Sequence, residues 1–437
     1  MVGSNITRDI LPILKQKLRP GKVLIILGAR RVGKTELIRT FLAEKKETDY
    51  LLLNGEDHTT RDLMKKQSKG NYNRLLKSTR LLVIDEAQSI PEIGQKLKFI
   101  VDNFPELQIV VTGSSVFDMS QKLGEPLVGR AITLKLFPLS QSEFSKTEQL
   151  TDTHDQLHER LIYGSYPELT HHIDPAEKAD YLDSIVNAYL LKDILAFDGI
   201  RKSEKIMDLL RLIAFQIGKE VSVEELSKQL KGISRNTVEH YLDLLTKVFV
   251  LYKVRAYSGN LRKEISKSSR WYFYDNGIRN AVIQNFNKLE YRQDQGALWE
   301  NYLMTERMKH NSYSRKRVQS FFWRTYDQQE IDLIELENGK LSAFEFKFNT
   351  HKKVKVPAAW AKGYPDARFE VIHPENYLDF IGGWQNRRKS LNNLTINHHS
   401  IEKIYINSFN VFKKFTLKTS IERSQKQFSQ SWNGSPT

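Results

Sequence analysis

The stretch "KVLIILGARRVGKTELIRTFL", residues 22–42, decides the fold of this chain. Val23 to Leu27 is an unbroken apolar run, the mark of a strand buried on both faces. Gly28-Ala29-Arg30-Arg31-Val32-Gly33-Lys34-Thr35 follows and fits G-x-x-x-x-G-K-[ST]. Leu37, Ile38, Phe41 and Leu42 then recur at helical spacing. A strand, a glycine loop and a helix in that order make a phosphate cradle. Backbone N–H groups of the loop and helix start face the anion, and the glycines avoid steric conflict. In this reading residues 28–33 form the cradle. Lys34 brings a point charge to the β- and γ-phosphates, and Thr35 offers a hydroxyl to Mg²⁺. The expected ligands are ATP and Mg²⁺.

The metal needs a second oxygen donor, and "STRLLVIDEAQSIP", residues 78–91, supplies one. Leu81 to Ile84 form another buried strand that ends in Asp85 and Glu86. Ligand sites open at that end of a parallel sheet. Asp85 is expected to hold Mg²⁺ and Glu86 to polarise the attacking water. "LQIVVTGSSV", 107–116, reads as a third buried strand whose polar end puts Ser114 near the γ-phosphate. "LLLNGED", 51–57, is a further strand. Strands alternating with helices predict an α/β domain: a parallel sheet covered by helices on both faces.

Composition bounds the rest. A chain of 437 residues with 40% hydrophobic and 27% charged residues has room for several folded domains. No run is long enough to span a bilayer, and the N-terminus lacks a signal-peptide pattern. With no cysteine, disulfides and Cys-based metal sites are excluded. Together these features favour the cytoplasm. The formal net charge of +15 suits a polyanionic partner such as DNA. Residues 386–437 hold nine Lys and Arg against two acidic residues and read as a basic, mobile tail.

"GARRVGKTELI", "LLVIDEAQSIPE", "VVTGSS", "LVGRAITLKLFPLSQSEF" and "YGSYPEL" occur here in that order. Together they resemble the AAA-type ATPases that carry a C-terminal domain of unknown function, over roughly residues 8–385. The subunit count, a homo-oligomer included, is left open by the sequence; the resemblance implies an ATPase of the AAA superfamily. It also gives Arg130, in "LVGR", a role in sensing the γ-phosphate or acting across a subunit boundary.

Residues 1–149 are thus read as the ATPase core and 150–215 as a helical connector, with one long helix over 178–200. Residues 216–290 suggest a winged helix. Ser222 and Glu225 form a capping box, Ser234 caps a second helix running to Leu245, and two strands follow. Its nucleic-acid-binding candidates are Arg235 on the second helix and Arg255, Arg262, Lys263, Lys267 and Arg270 on the wing. Glu239 and Asp243 oppose phosphate binding by that helix.

In residues 291–385, Glu300 sits on an amphipathic helix, Asp332 near the start of one strand, and Glu345 and Lys347 two apart on its neighbour. Charges inside apolar strands need a partner or a task. An acid followed by Glu-x-Lys resembles the PD-(D/E)xK nuclease superfamily, a smaller α/β fold. That resemblance implies Mg²⁺ held by Glu300, Asp332 and Glu345, with Lys347 acting on the attacking water. Two functions follow: an ATPase coupled to DNA binding or processing, or a nucleotide-dependent regulator with an inactive nuclease-like domain that signals to a protein partner.

Overall fold

The computed structural model describes residues 6–114, 127–190, 203–258 and 269–382, all within one compact unit. The expected basic tail, together with Arg262, Lys263 and Lys267, lies outside the described residues. Only the part of the 178–200 segment up to Leu190 is described, as the helix Pro175–Ser184 followed by a π-helical stretch.

The first half is built on five parallel strands: β1 (Val23–Leu27), β2 (Tyr50–Asn54), β3 (Leu81–Asp85), β4 (Gln108–Gly113) and β5 (Ala131–Lys135). They lie in the order β2-β3-β4-β1-β5. β1 and β3 are buried at every position, as their uninterrupted apolar runs require. Putting β4 between β1 and β3 brings the carboxyl ends of these three strands to one rim. The register aligns Leu27 with Gly113 and Ile84 with Val111.

The second half shares one seven-stranded sheet, which runs across residue 290. Its strands are β6 (Glu220–Val221), β7 (Leu251–Ala256), β8 (Ser269–Phe273), β9 (Val318–Arg324), β10 (Glu330–Glu337), β11 (Lys340–Phe346) and β12 (Arg368–Ile372), ordered β12-β11-β10-β9-β7-β8-β6. Helices Ser203–Phe215, Val223–Leu230 and Arg235–Lys247 interleave with β6 and precede β7. Ser234 caps the last of these, accepting from the Thr237 N–H, but Ser222 makes no side-chain cap, so the expected capping box is not formed. The hairpin between β10 and β11 turns at Asn338 and Gly339, both with positive φ.

The helix Gln295–Tyr313 lies between the two halves. Its Lys309 donates to the Leu139 carbonyl (2.9 Å), and Glu306 accepts from the Gln141 N–H (2.7 Å). The Tyr313 hydroxyl accepts from the Phe137 N–H (3.2 Å). Nearer its start, Glu300 meets the seven-stranded sheet. Glu300 stands six residues before Glu306 and thirteen before Tyr313, about 9 and 20 Å of helix.

Candidate functional site

The loop after β1 takes its shape from close packing. A Cβ on Gly28 would stand 2.3 Å from the Leu136 carbonyl oxygen, and Gly33 has φ +91°. Both positions need glycine. Lys34 is 4% exposed, and its ammonium donates to the carbonyls of Gly28 (3.1 Å) and Ala29 (3.0 Å). Thr35 donates its hydroxyl to Asp85 Oδ2 at 2.7 Å. The Thr112 hydroxyl donates to the other oxygen, Oδ1, and accepts from the Glu86 N–H at 3.0 Å. Glu86 lies 3.9 Å from Lys34 and is held by Gln88 (2.5 Å), which also donates to Ser114 (3.2 Å). The structure therefore brings the loop, Lys34, Thr35, Asp85, Glu86 and Ser114 together. The Thr35 hydroxyl and Asp85 carboxylate adjoin as hard oxygen donors, so these residues fit a Mg²⁺ ion.

Thr112, which the polar end of β4 marked in the sequence alongside Ser114, holds the Asp85 carboxylate and the Glu86 N–H. Two members of this site were not picked out from the sequence. Gln88 orients Glu86. Arg8 lies outside any motif. It is buried and donates to the Val32 carbonyl (2.7 Å), the Phe137 carbonyl (2.6 Å) and Glu143 (3.0 Å). Burial alone would lower its pKa, but Glu143 and Tyr313 hold it above the usual value. One guanidinium thus ties the phosphate loop to the segment that receives the Gln295–Tyr313 helix.

A cavity of about 350 Å³ opens beside Gly33, walled by Leu11, Leu37, Leu139 and Pro167. A larger one, about 500 Å³, adjoins it but carries Glu148, Asp152, Asp155 and Glu159. Arg160 pairs with Glu148 there and Lys178 with Glu159, while the smaller cavity borders Gly33 of the loop and so suits a nucleotide better.

Arg130 stands elsewhere. Its carbonyl accepts from the Val23 N–H at the start of β1, and its side chain pairs with Asp102 at 2.8 Å. The phosphate loop lies at the other end of β1, about 16 Å away at the usual strand rise. Arg130 therefore cannot sense the γ-phosphate within its own chain.

Glu300, Asp332, Glu345 and Lys347 do gather, and the first two face a cation that the sequence reading placed on DNA. Arg270, 3% exposed, sits on β8 with Nη1 at 3.5 Å from Glu300 and 3.6 Å from Asp332. Its Nη2 is 2.9 Å from Glu330. The Phe322 ring lies under the guanidinium, 4.6 Å from Cζ. Tyr272 donates to Glu300 (2.7 Å), the Phe346 N–H to Asp332 (2.8 Å), and Lys347 to Glu345 (2.6 Å). Burial, then Asp332, pushes Glu300 up to about 8 and Glu345 up to about 7. Burial also raises Asp332.

Among the described residues no group of three or more His, Asp or Glu side chains is set to hold a metal. The expected Mg²⁺ set Glu300, Asp332 and Glu345 is thus corrected to an ion-paired cluster, with Arg270 between the first two acids. Arg270 is corrected too: a buried guanidinium facing three carboxylates has no phosphate to meet. Arg235 is exposed but pairs with Glu239 one turn on (3.1 Å), while Arg255 is exposed on β7.

Residues 20–145 match the model of an AAA domain. This region is similar to AAA domains and has the phosphate loop and parallel sheet of a P-loop fold. Residues 154–289 and 295–381 match two domains of unknown function, DUF8612 and DUF4143. Among curated proteins, the chain is similar to an uncharacterised protein of Methanocaldococcus jannaschii, 24% identical over 390 residues and covering 84% of this chain and 83% of that one. An uncharacterised protein of Haemophilus influenzae is 26% identical over 360 residues, covering 76% and 84%. Among solved structures, the Pif1 helicase of Candida albicans is matched at 17% identity and a TM-score of 0.24. That match covers 37% of this chain and 48% of the helicase chain. No described helix is long and apolar enough to cross a membrane.

Proposed function

We propose that the chain is a Mg²⁺-dependent ATP hydrolase of the AAA type whose second half binds DNA. The observation that carries the first part is the set at the ends of β1, β3 and β4. Lys34 lies buried against the carbonyls of Gly28 and Ala29, 3.9 Å from Glu86, and Thr35, Asp85 and Thr112 form one hydrogen-bonded row. The phosphates lie along the loop, and the base enters the cavity between Leu37 and Pro167. Mg²⁺, when bound, neutralises charge developing on the phosphates. Glu86, steadied by Gln88 and by its own N–H on Thr112, takes a proton from the attacking water. Lys34 stabilises charge on the transferring group. Measuring phosphate release by the purified chain with ATP and Mg²⁺ tests this; no turnover in the wild type would defeat it.

Coupling to the second half rests on a contiguous network. Arg8 bridges Val32 and Phe137, and Tyr313 touches Phe137 from the helix that also carries Glu300. Helix, strand, two helices and two strands over 203–273, with β8 between β7 and β6, support a winged helix. The regulator reading is favoured by one observation: Arg235 on the second helix is engaged by Glu239. A Mg²⁺-ATP-dependent change in DNA affinity would separate the two.

A further inference from the structure

The seven-stranded sheet has a face turned away from the Gln295–Tyr313 helix, and a short helix covers part of it. On β7, Val254 and Ala256 are buried beside Tyr302 and Leu303 of that helix, so Lys253 and Arg255, both exposed, point to the opposite side. There the helix Ala358–Gly363 covers the sheet with Trp360, which packs on Trp323 (5.2 Å between ring centroids) and Tyr257 (6.3 Å). Tyr257 immediately follows β7, so this aromatic cluster joins the wing strand to the helix.

The segment leading into the helix carries Lys352, Lys353 and Lys355, and the helix carries Lys362, all exposed. Among the described residues no carboxylate is paired with any of the four. Two exposed acids, Asp327 in the turn before β10 and Asp366 after the helix, flank these lysines in sequence. The turn between β9 and β10 reaches the same helix, since Gln329 accepts from the Ala359 N–H (3.1 Å). That turn displays Tyr326, 99% exposed.

We infer that this face binds a single strand of nucleic acid, with Lys352, Lys353, Lys355 and Lys362 on its phosphates and Tyr326 stacked on a base. Unpaired lysines recognise a polyanion. A fully exposed tyrosine among them recognises unstacked bases, which a duplex or a lipid headgroup does not offer. The inference rests on the DNA reading above and places that binding on the β7–β9–β10 face instead of the Arg235 helix.

The test is fluorescence anisotropy of the full chain with a labelled single-stranded oligonucleotide over a range of salt. A duplex and phosphatidylserine vesicles serve as competitors. The triple variant K352E/K353E/K355E is expected to bind at least about tenfold more weakly. Its log K against log salt should be flatter by about 2, the slope lost with three phosphate contacts on a single strand. Tyr326→Ala is expected to weaken binding about tenfold with the slope unchanged. ATP hydrolysis should be unaltered in both variants, which confirms that they fold. If the wild type binds the oligonucleotide and the triple variant matches it, the face is wrong and DNA binds elsewhere. If the wild type binds no oligonucleotide even at low salt, the DNA reading itself fails. Displacement by vesicles but not by excess unlabelled single strand would replace nucleic acid with a membrane surface.

Discussion

Lys34 and Arg270 are buried to nearly the same depth, 4% and 3% exposed, yet their surroundings differ. Lys34 rests on the Gly28 and Ala29 carbonyls, with Glu86 at 3.9 Å. Arg270 faces Glu300, Glu330 and Asp332 and lies over the Phe322 ring. Backbone carbonyls solvate an ammonium but carry no net charge to cancel it. A cation among three acids is already neutralised and attracts nothing further. Both sites collect charged side chains on packed strands. On the proposed reading the first serves a charged ligand, and the second ties packed strands together.

The sharpest way to break this contrast is to remove each cation. Lys34→Ala is expected to lower ATP turnover by about a hundred- to a thousandfold, the usual loss when one preorganised charge-stabilising donor is deleted. Its melting temperature should stay close to wild type; normal phosphate release would move the site. Arg270→Met is expected to do the reverse. It leaves Glu300 and Asp332 buried without their cation, at a cost of about 3–5 kcal/mol by urea unfolding. The protein that remains folded should hydrolyse ATP. Equal stability in that variant would show that the acids have another counterion.

Much of the first site was legible because its chemistry is local. Glycine loop, Lys34 and Thr35 are contiguous, and Asp85 and Glu86 follow an apolar strand that could sit only in a parallel sheet. Arg8 was not legible, because its partners Val32, Phe137 and Glu143 are distant in sequence and no spacing links them. The second site was legible as a cluster but not as to its content. Glu300, Asp332, Glu345 and Lys347 were assembled from the hairpin and helix. Arg270 arrives from β8, and only the pairing of β7 with both β8 and β9 joins those segments in one sheet. Arg130 was misplaced for a related reason. Its residue type and neighbouring glycine were visible, but the parallel pairing of β5 with β1, which puts it at the far rim, was not.

The protonation of the cluster tests the same contrast more gently. Burial and Asp332 raise Glu300 to about 8 in the folded chain, against about 4.5 when unfolded. Between these values the folded state holds a proton that the unfolded state has released. Stability therefore falls as pH rises across that window and levels off above it. The slope from this group is at most about 1.4 kcal/mol per pH unit. Thermal melts of the wild type at pH 6 and pH 8.5 should show the higher pH less stable. Glu300→Gln should narrow the difference, since it removes the titrating group and keeps an acceptor for the Tyr272 hydroxyl. A difference of undiminished size in the variant would assign the pH dependence to other groups.

The smallest expected effect concerns how the two halves communicate. Arg8→Lys keeps the charge beside Glu143 but cannot span Val32, Phe137 and Glu143 at once, because an ammonium lacks the planar fork. Loss of one or two such hydrogen bonds should cost about 1–2 kcal/mol of stability. If the bridge positions the phosphate loop, turnover should fall by about tenfold with little change in KM, because a displaced loop misaligns the reacting phosphate. If Arg8 serves only to anchor the N-terminal segment, melting would drop while kcat held. The first outcome would make the loop's geometry depend on the Phe137 segment that receives the Gln295–Tyr313 helix. The open site would then be adjustable from the closed one through a single guanidinium.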